Sequence, residues 1–515
     1  MFFKKGFWFY TFIFLLMASS ALAGPWLLPG NLSVKSDIDL LADAGLIKAP
    51  VMTWPIAWVN IGPELLSPET KAKLPTEPES VQLAYQRIVT LYQKSYQPYK
   101  SQQGAYIAGS NRLNPFPTFQ YQPYAKFANG ISTAYQMKHF AESANISYYS
   151  APNQSYSNYV HIDNSYADLL LGNWAIGFDQ FNRWWGPGYS DAMILSQNAE
   201  PFPALGIQRM HAEAFKTKWL HWIGPWSVSS VVSENGSSYY RYPVSVDNDL
   251  FWFTNISIRP FQSLQLDVSR NVLFAGTQRS MTWPMFDNLV TGQDAYVNGL
   301  SVRDAPGSEE WDIGGKLNLE SLLHIPVSLY QQTTFMADYP IQVSSSHYLR
   351  LPDYTTFLLG GSTSTQIKSD TLRIYAEYEY NITRYWWWMW KIACPDPYGN
   401  GQYPYTYYNK LLGSPIGSEG IGYTLGAILN ENEGASDNVM IRFLQPNSLG
   451  WGTVVTPTYP FAKQDIIWLS LGRTFVLHHL GLLTPELGYL ITFNRTTGAL
   501  PTGFSATITW SKKFK

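Results

Sequence analysis

From about residue 100 to its end, this chain alternates polar and apolar residues with a period of two, and its charges keep to one of the two faces. In residues 371–381, Leu372, Ile374, Ala376, Tyr378 and Tyr380 oppose Arg373, Tyr375, Glu377 and Glu379. Residues 311–320 repeat the pattern, with Trp311, Ile313, Gly315, Leu317 and Leu319 against Asp312, Lys316, Asn318 and Glu320. Leu264, Leu266 and Val268 alternate with Gln265, Asp267 and Ser269, and Leu487, Tyr489, Ile491 and Phe493 oppose Glu486 and Thr492. Near the end, Phe504, Ala506, Ile508 and Trp510 oppose Ser505, Thr507 and Thr509. Successive strand residues point to opposite faces, so each segment reads as a strand with one apolar and one polar side. A soluble sandwich alternates too, but it turns its apolar faces to the core. Charges as numerous as Arg373, Glu377, Asp312, Lys316 and Glu320 suit instead the wet interior of a transmembrane barrel, whose outer face is the apolar one.

The N-terminus reads as a secretion signal over residues 1–23. Lys4 and Lys5 precede an apolar run at 7–17, and Ser19, Ser20, Ala21 and Ala23 follow, so cleavage is expected after Ala23. That run is shorter than the ~20 residues a spanning helix needs. Backbone groups in lipid must all be paired, which leaves only helices and closed sheets. With no spanning helix, the sheet must close. Residues 344–346 and 431–437 carry the Gly, Ser and Asn of water-exposed connections. The stretch after residue 100 has room for about 16 to 20 strands of roughly 10 residues with loops.

Composition narrows the partners. Aromatic residues make up 16 % of the chain, with 20 Trp and 35 Tyr, as expected where many strands cross two membrane interfaces; sugar-binding surfaces use the same rings. A net charge of -2 without a dense Lys/Arg stretch excludes nucleic acid. The lone cysteine, Cys394, allows no disulfide within the chain, and its distance from the cleavage site argues against a lipid-anchored terminus.

No catalytic set stands out, and no enzyme activity, metal or cofactor is expected. Glu377 and Glu379 would share a strand face about 7 Å apart, a spacing glycoside chemistry can use, but lining charges balanced by Arg373 explain them more simply. His478 and His479 would point to opposite strand faces and could not share a metal. Neither a Gly-x-Ser-x-Gly elbow nor a phosphate-cradling loop is present.

Between residues 34 and 97 the period is helical instead. Ser36 can cap a helix with Asp39 three residues on, Ile38, Leu41 and Ala44 follow, and Gly45 closes it. Ser67-Pro68-Glu69 can open a short helix. Thr76-Glu77-Pro78-Glu79 has a capping-box spacing, and behind it Val81, Ala84, Tyr85, Ile88, Leu91 and Tyr92 make one apolar stripe. The expected organisation is a signal at 1–23, a periplasmic helical bundle or plug at 24–100, and an outer-membrane β-barrel at 101–515.

Several segments together resemble the outer-membrane capsule-assembly proteins of the Wzi type, in matching order along the chain. They are Asp39-Leu40-Leu41-Ala42-Asp43-Ala44-Gly45-Leu46-Ile47 with Thr53-Trp54-Pro55, then Arg183-Trp184-Trp185-Gly186-Pro187-Gly188-Tyr189 continuing from Ile194 through Pro203. Tyr375-Ala376-Glu377-Tyr378 and Pro415-Ile416-Gly417 follow. The resemblance implies an all-β transmembrane barrel of 18 antiparallel strands, closed on its periplasmic side by a small helical bundle. It also implies a lectin-like anchor for capsular or related surface polysaccharide in the outer membrane of a Gram-negative cell. A plugged barrel of this kind is expected to be monomeric and to touch membrane lipid and polysaccharide.

Asp179, Asn182, Arg183, Trp184, Trp185 and Tyr189 are the candidate carbohydrate-binding residues. A pyranose stacks its apolar face on indole rings, while Asn, Asp and Arg bond its hydroxyls. On the alternative reading, Gly186-Pro187-Gly188 is a turn and the two Trp belong to an interfacial girdle. The dense run Trp386-Trp387-Trp388-Met389-Trp390 suits a strand end at the lipid boundary or an outer loop. A diffusion or export channel is the alternative function, since a barrel this wide has an aqueous lumen unless plugged.

Overall fold

A computed structural model describes residues 24–514 except 151–158, 236–248, 277–280, 292–303, 305–306, 345–346, 383–404, 408–409 and 449–461, with backbone alone at 337–354. The sheet is a closed antiparallel barrel of 18 strands. In chain order, β1 is Gln102–Ser110, β2 Phe127–Gln136 and β3 Phe140–Ser150, and β4 is broken into Val160–His161 and Tyr166–Leu171. Next come β5 Trp174–Asp179, β6 Ala204–Arg209, β7 Trp226–Glu234, β8 Leu250–Phe261 and β9 Leu264–Phe274. Then follow β10 Ser308–Asn318, β11 Val327–Ser344, β12 His347–Ile367, β13 Asp370–Tyr380 and β14 Ile421–Asn430. The set ends with β15 Ser436–Gln445, β16 Asp465–Leu477, β17 Gly481–Phe493 and β18 Gly503–Phe514. Each strand pairs with its chain neighbours, and β18 closes on β1 from Thr507↔Ser110 to Phe514↔Gln103.

One rim carries mostly short turns, such as 172–173, 262–263 and 368–369, and the other carries long connections, such as 275–307 and 381–420. The outer wall is apolar. Ile131, Ile146, Ile256, Ile313, Ile374, Leu425, Leu469 and Ile508 stand exposed on it, while their strand neighbours Asp312, Arg373, Glu377 and Ser470 are buried inside. Towards the long-loop rim an aromatic belt runs from Phe357 (5.3 Å to Tyr380) through Tyr378 (4.9 Å to Tyr423) to Phe443 (6.2 Å to Phe493). An apolar band edged by aromatics is the surface a barrel presents to a bilayer.

Helices sit at the short-turn rim: α1 Leu32–Asp43, α2 Gly62–Leu65, α3 Pro68–Lys73 and α4 Glu79–Ser95. Ser67 caps α3 by accepting from the Thr70 amide at 3.1 Å. Gly45, at φ +73°, ends α1, with its amide on Ala42 O and that of Leu46 on Leu41 O. Val81, Ala84 and Ile88 of α4 meet Ile38 and Leu41 of α1 in one buried cluster. Each of the Val, Ile and Leu side chains stabilises by about 1.5–3 kcal/mol.

The details depart from the sequence reading in five places. Asn31, not Ser36, caps α1, because its side chain accepts from Val34 N; Ser36 lies inside the helix and accepts from Arg373 Nε at 3.1 Å. Pro78 occupies the cap of α4, and Thr76 Oγ1 instead bonds Lys73 O. Glu320 opens the short helix α5 Glu320–Leu323 rather than ending β10. His478 and His479 form the β16–β17 turn, His479 at φ +66°, not strand faces. Finally, much of the interior is dry, because Arg373, Asp312 and Lys316 are buried against the plug rather than bathed in water. The run at 386–390 lies outside the described residues.

A sheet without open edges resists unfolding. The detergent-folded protein is therefore expected to migrate faster on a gel unboiled than boiled. Identical migration would count against closure.

Candidate functional site

Three segments fill most of the lumen, and residues 410–416 pack against them. The N-terminal helices enter from the short-turn rim, and two connections, 111–126 and 180–203, fold inward from the long-loop rim. Trp184–Trp185 pairs antiparallel with Thr53–Trp54, the Gly186 amide bonds Met52 O, and the Phe119 amide bonds Tyr189 O. The inward loops thus continue the plug by backbone pairing, which satisfies polar groups that no water reaches.

Aromatic packing sets the centre. Phe119 stands edge-on between Trp54 (5.1 Å) and Trp184 (5.4 Å), and the Trp184 indole N–H donates to Gly188 O at 3.1 Å. Trp185 meets Phe253 edge-on at 6.2 Å. Gly188 is required here, since a Cβ would lie 2.2 Å from Asp191 O. Both tryptophans are at most 1 % exposed. They sit in the core of the lumen, not in an interfacial girdle.

Asn182, Arg183 and Tyr189 are buried beside them, and Asp179, at the end of β5, is half-buried. Arg183 pairs with Asp179 at 2.5 Å and lies over the Phe202 ring at 5.1 Å. Tyr189 stacks on Tyr375 at 4.7 Å, donates its hydroxyl to Asp39 Oδ2 at 2.5 Å, and directs its amide to Glu377 Oε1 at 2.7 Å. Asn182 accepts from Tyr124 Oη at 2.7 Å and borders a cavity of about 270 Å³. The fold therefore packs Arg183, Trp184, Trp185 and Tyr189 into the plug, sets Asp179 of the wall against Arg183, and brings Asn182 to open space.

Charge clamps α1 to the wall. Lys316 of β10 reaches Asp39 (3.2 Å) and Asp43 (2.9 Å), and Lys35 reaches Asp39 at 3.4 Å. Arg87 of α4 holds Asp37 through two bonds of 2.7 Å, and Asn430 of β14 adds a third at 2.8 Å. Arg259 of β8 donates to Ala42 O and Ile47 O, placing a cation at the negative end of α1. Burial alone would raise the Asp39 carboxyl, but Lys316, Lys35 and Arg373 hold it below the usual carboxylate range. Burial lowers the Lys35 ammonium, against the attraction of Asp39.

The paired carboxylates are committed elsewhere. Glu377 accepts from the Tyr189 and Ser190 amides, the Ser190 hydroxyl and Tyr330 Oη, whereas Glu379 accepts from Ser414 and Asn381. Sequence reasoning missed the role of α1's own polar face. Lys35, Asp37, Asp39 and Asp43, four charges within one twelve-residue helix, are the signal that could have found it; the three aspartates meet side chains of β10, β11 and β14.

Comparison with known proteins gives a consistent picture. The sequence pattern of the family described as capsule assembly protein Wzi matches residues 107–445. An uncharacterized 55.8 kDa protein of the cps region of Klebsiella pneumoniae is 31 % identical over 169 residues, 33 % of this chain and 32 % of that protein. That match spans about a third of the relative's length. The structure of Wzi from Escherichia coli, described as an outer membrane protein involved in Group 1 capsule assembly and a carbohydrate-binding β-barrel, superposes with a TM-score of 0.76. It is 19 % identical and covers 95 % of this chain and 99 % of that one, a likeness of fold.

Proposed function

This chain belongs to the capsule assembly protein Wzi family, and from that membership we propose that it is an outer-membrane protein that binds capsular or related surface polysaccharide and helps assemble or anchor it. The observation that carries the reading is the packed lumen. A barrel whose interior is crossed by fully buried Trp184, Trp185, Tyr189 and Arg373 offers solutes no through path, so its work lies in recognition. Binding without catalysis is the simpler account of Glu377 and Glu379, whose oxygens already accept protein donors. In this reading the short-turn rim and its helices face the periplasm, and the long connections face outward, where ligand choice is usually set.

Asp179, Asn182, Arg183, Trp184, Trp185 and Tyr189 serve glycan binding mainly by holding the inward loop, and through it the outer surface, in one arrangement. No indole face of Trp184 or Trp185 is open for stacking. Membrane lipid is the partner of the apolar wall, and the chain acts as a monomer.

Surface plasmon resonance against the surface polysaccharide of the source strain tests the function. Saturable retention by the detergent-folded protein is the expected result. A folded barrel that retains none would overturn the reading and favour the channel.

A further inference from the structure

The plug fills the lumen unevenly. Against β8–β11 the inward side chains are sealed, with Asn255, Ser269, Asp312 and Gln332 at most 1 % exposed. Against β16–β18 they are not: Thr474, Thr484, Thr507, Thr509 and Ser511 are only half-buried and form a row of hydroxyls along the hollow that Asn182 borders. Further along β16 and β17 towards the long-loop rim, buried Trp468, Ile466 and Leu490 close it together with Phe116 and Ile416. The hydroxyl-lined part therefore lies on the side of the short-turn rim.

The lining has a definite chemistry. Tyr106, Tyr124 and Tyr149 border the hollow with their hydroxyls tied, to Ser147 (2.9 Å), Asn182 (2.7 Å) and Asp163 (2.5 Å). Of the lining tyrosines, Tyr106 and Tyr121 are only partly buried and keep ring surface towards a guest, whereas Tyr124 and Tyr149 are buried, Tyr149 stacked on His161 at 4.3 Å. Asn145 donates to Asp163 O at 2.7 Å, while its side-chain oxygen is buried and meets no donor among the described residues. Glu486 receives Gln122 Nε2 at 2.6 Å on one oxygen. Asp163 and Glu486 are the carboxyl groups of the lining, which among the described residues holds no lysine, arginine or histidine; Lys410 lies over the Tyr124 ring, 5.4 Å from its centroid, outside it.

We propose that this hollow is a saccharide site inside the barrel, distinct from the outer surface, that takes a neutral sugar residue from the short-turn side. Tyrosine rings suit the apolar face of a pyranose, and carboxylate, amide and threonine oxygens bond its hydroxyls. Two carboxyl groups with no cation beside them give a uronate or a phosphorylated sugar no counter-charge in the hollow. The volume holds about nine waters at ~30 Å³ each, which a sugar ring would displace. The inference rests on the polysaccharide reading above, but it concerns a separate place.

Thiol protection tests it on the full-length protein. In a Cys394→Ser background, Thr509→Cys is labelled with a small neutral maleimide in the presence of the methyl glycosides of glucose, galactose, mannose and N-acetylglucosamine together, or of methyl glucuronide. Labelling is expected to slow several-fold with the neutral mixture and not with the glucuronide, and Asn145→Leu should abolish the protection. No slowing, or equal slowing by the glucuronide, would overturn the site. Ser511→Cys replaces Thr509→Cys if unboiled gel migration shows that the latter has not folded. Protection without retention of polysaccharide would remove the surface reading and leave this site standing; retention without protection would do the reverse.

Discussion

Replacing Lys316 by methionine is expected to unseat α1 and destabilise the plugged barrel by about 3–5 kcal/mol. Lys316 bridges Asp39 and Asp43 at 3.2 and 2.9 Å, and all three groups are largely out of water. Methionine fills a similar volume but removes the cation shared by the two carboxylates, leaving Lys35 and Arg373 against Asp39. The temperature at which the compact gel band converts to the slow form should fall. Planar bilayers should register openings that the intact protein lacks. An unchanged conversion temperature with a closed barrel would show that the clamp is redundant.

Trp184→Ala is expected to cost a similar ~3–5 kcal/mol, the range for emptying a large aromatic site in a packed interior. Its ring is enclosed between Phe119 and the plug, and its N–H would leave Gly188 O unpaired. By contrast, Trp219→Ala or Trp222→Ala at the short-turn rim should change stability by no more than about 0.5 kcal/mol, since these rings are 73 % and 66 % exposed. Polysaccharide retention is expected to fall in Trp184→Ala together with the conversion temperature, and Trp184→Phe should restore part of both. Retention lost at an unchanged conversion temperature would assign Trp184 a direct contact with the sugar.

The wall was legible because its rule is local. A period of two with Arg373, Glu377, Asp312 and Lys316 on one side fixes which way every strand residue points, and those four do face inward. What they meet there was not legible. A charge suited to a water-filled lumen and a charge suited to a buried clamp have the same pattern along a strand, and the difference lies in α1, hundreds of residues away. The same limit applies to Arg183-Trp184-Trp185. Aromatic and polar residues beside a glycine-proline turn describe a sugar platform and a lumen core equally well until Phe119 and Trp54 are brought against them. Helix caps failed for a smaller reason: Ser36 has the right side chain, but Asn31 lies one turn earlier and takes the amide first.

The contacts that seat α1 also impose an order on how this molecule can be made. Asp37 and Asn430 are 393 residues apart, and Ser95 receives Lys513 across 418. The helices leave the secretion machinery first, yet the groups that neutralise them arrive near the end, on strands that acquire inward faces only when β18 finds β1. Closing contacts of such separation is slow. Until then α1 offers its lysine and aspartates to water and its Ile38–Leu41 edge to anything apolar. The plug is therefore a latecomer despite its place in the chain, and the last strand both shuts the wall and latches what lies within it.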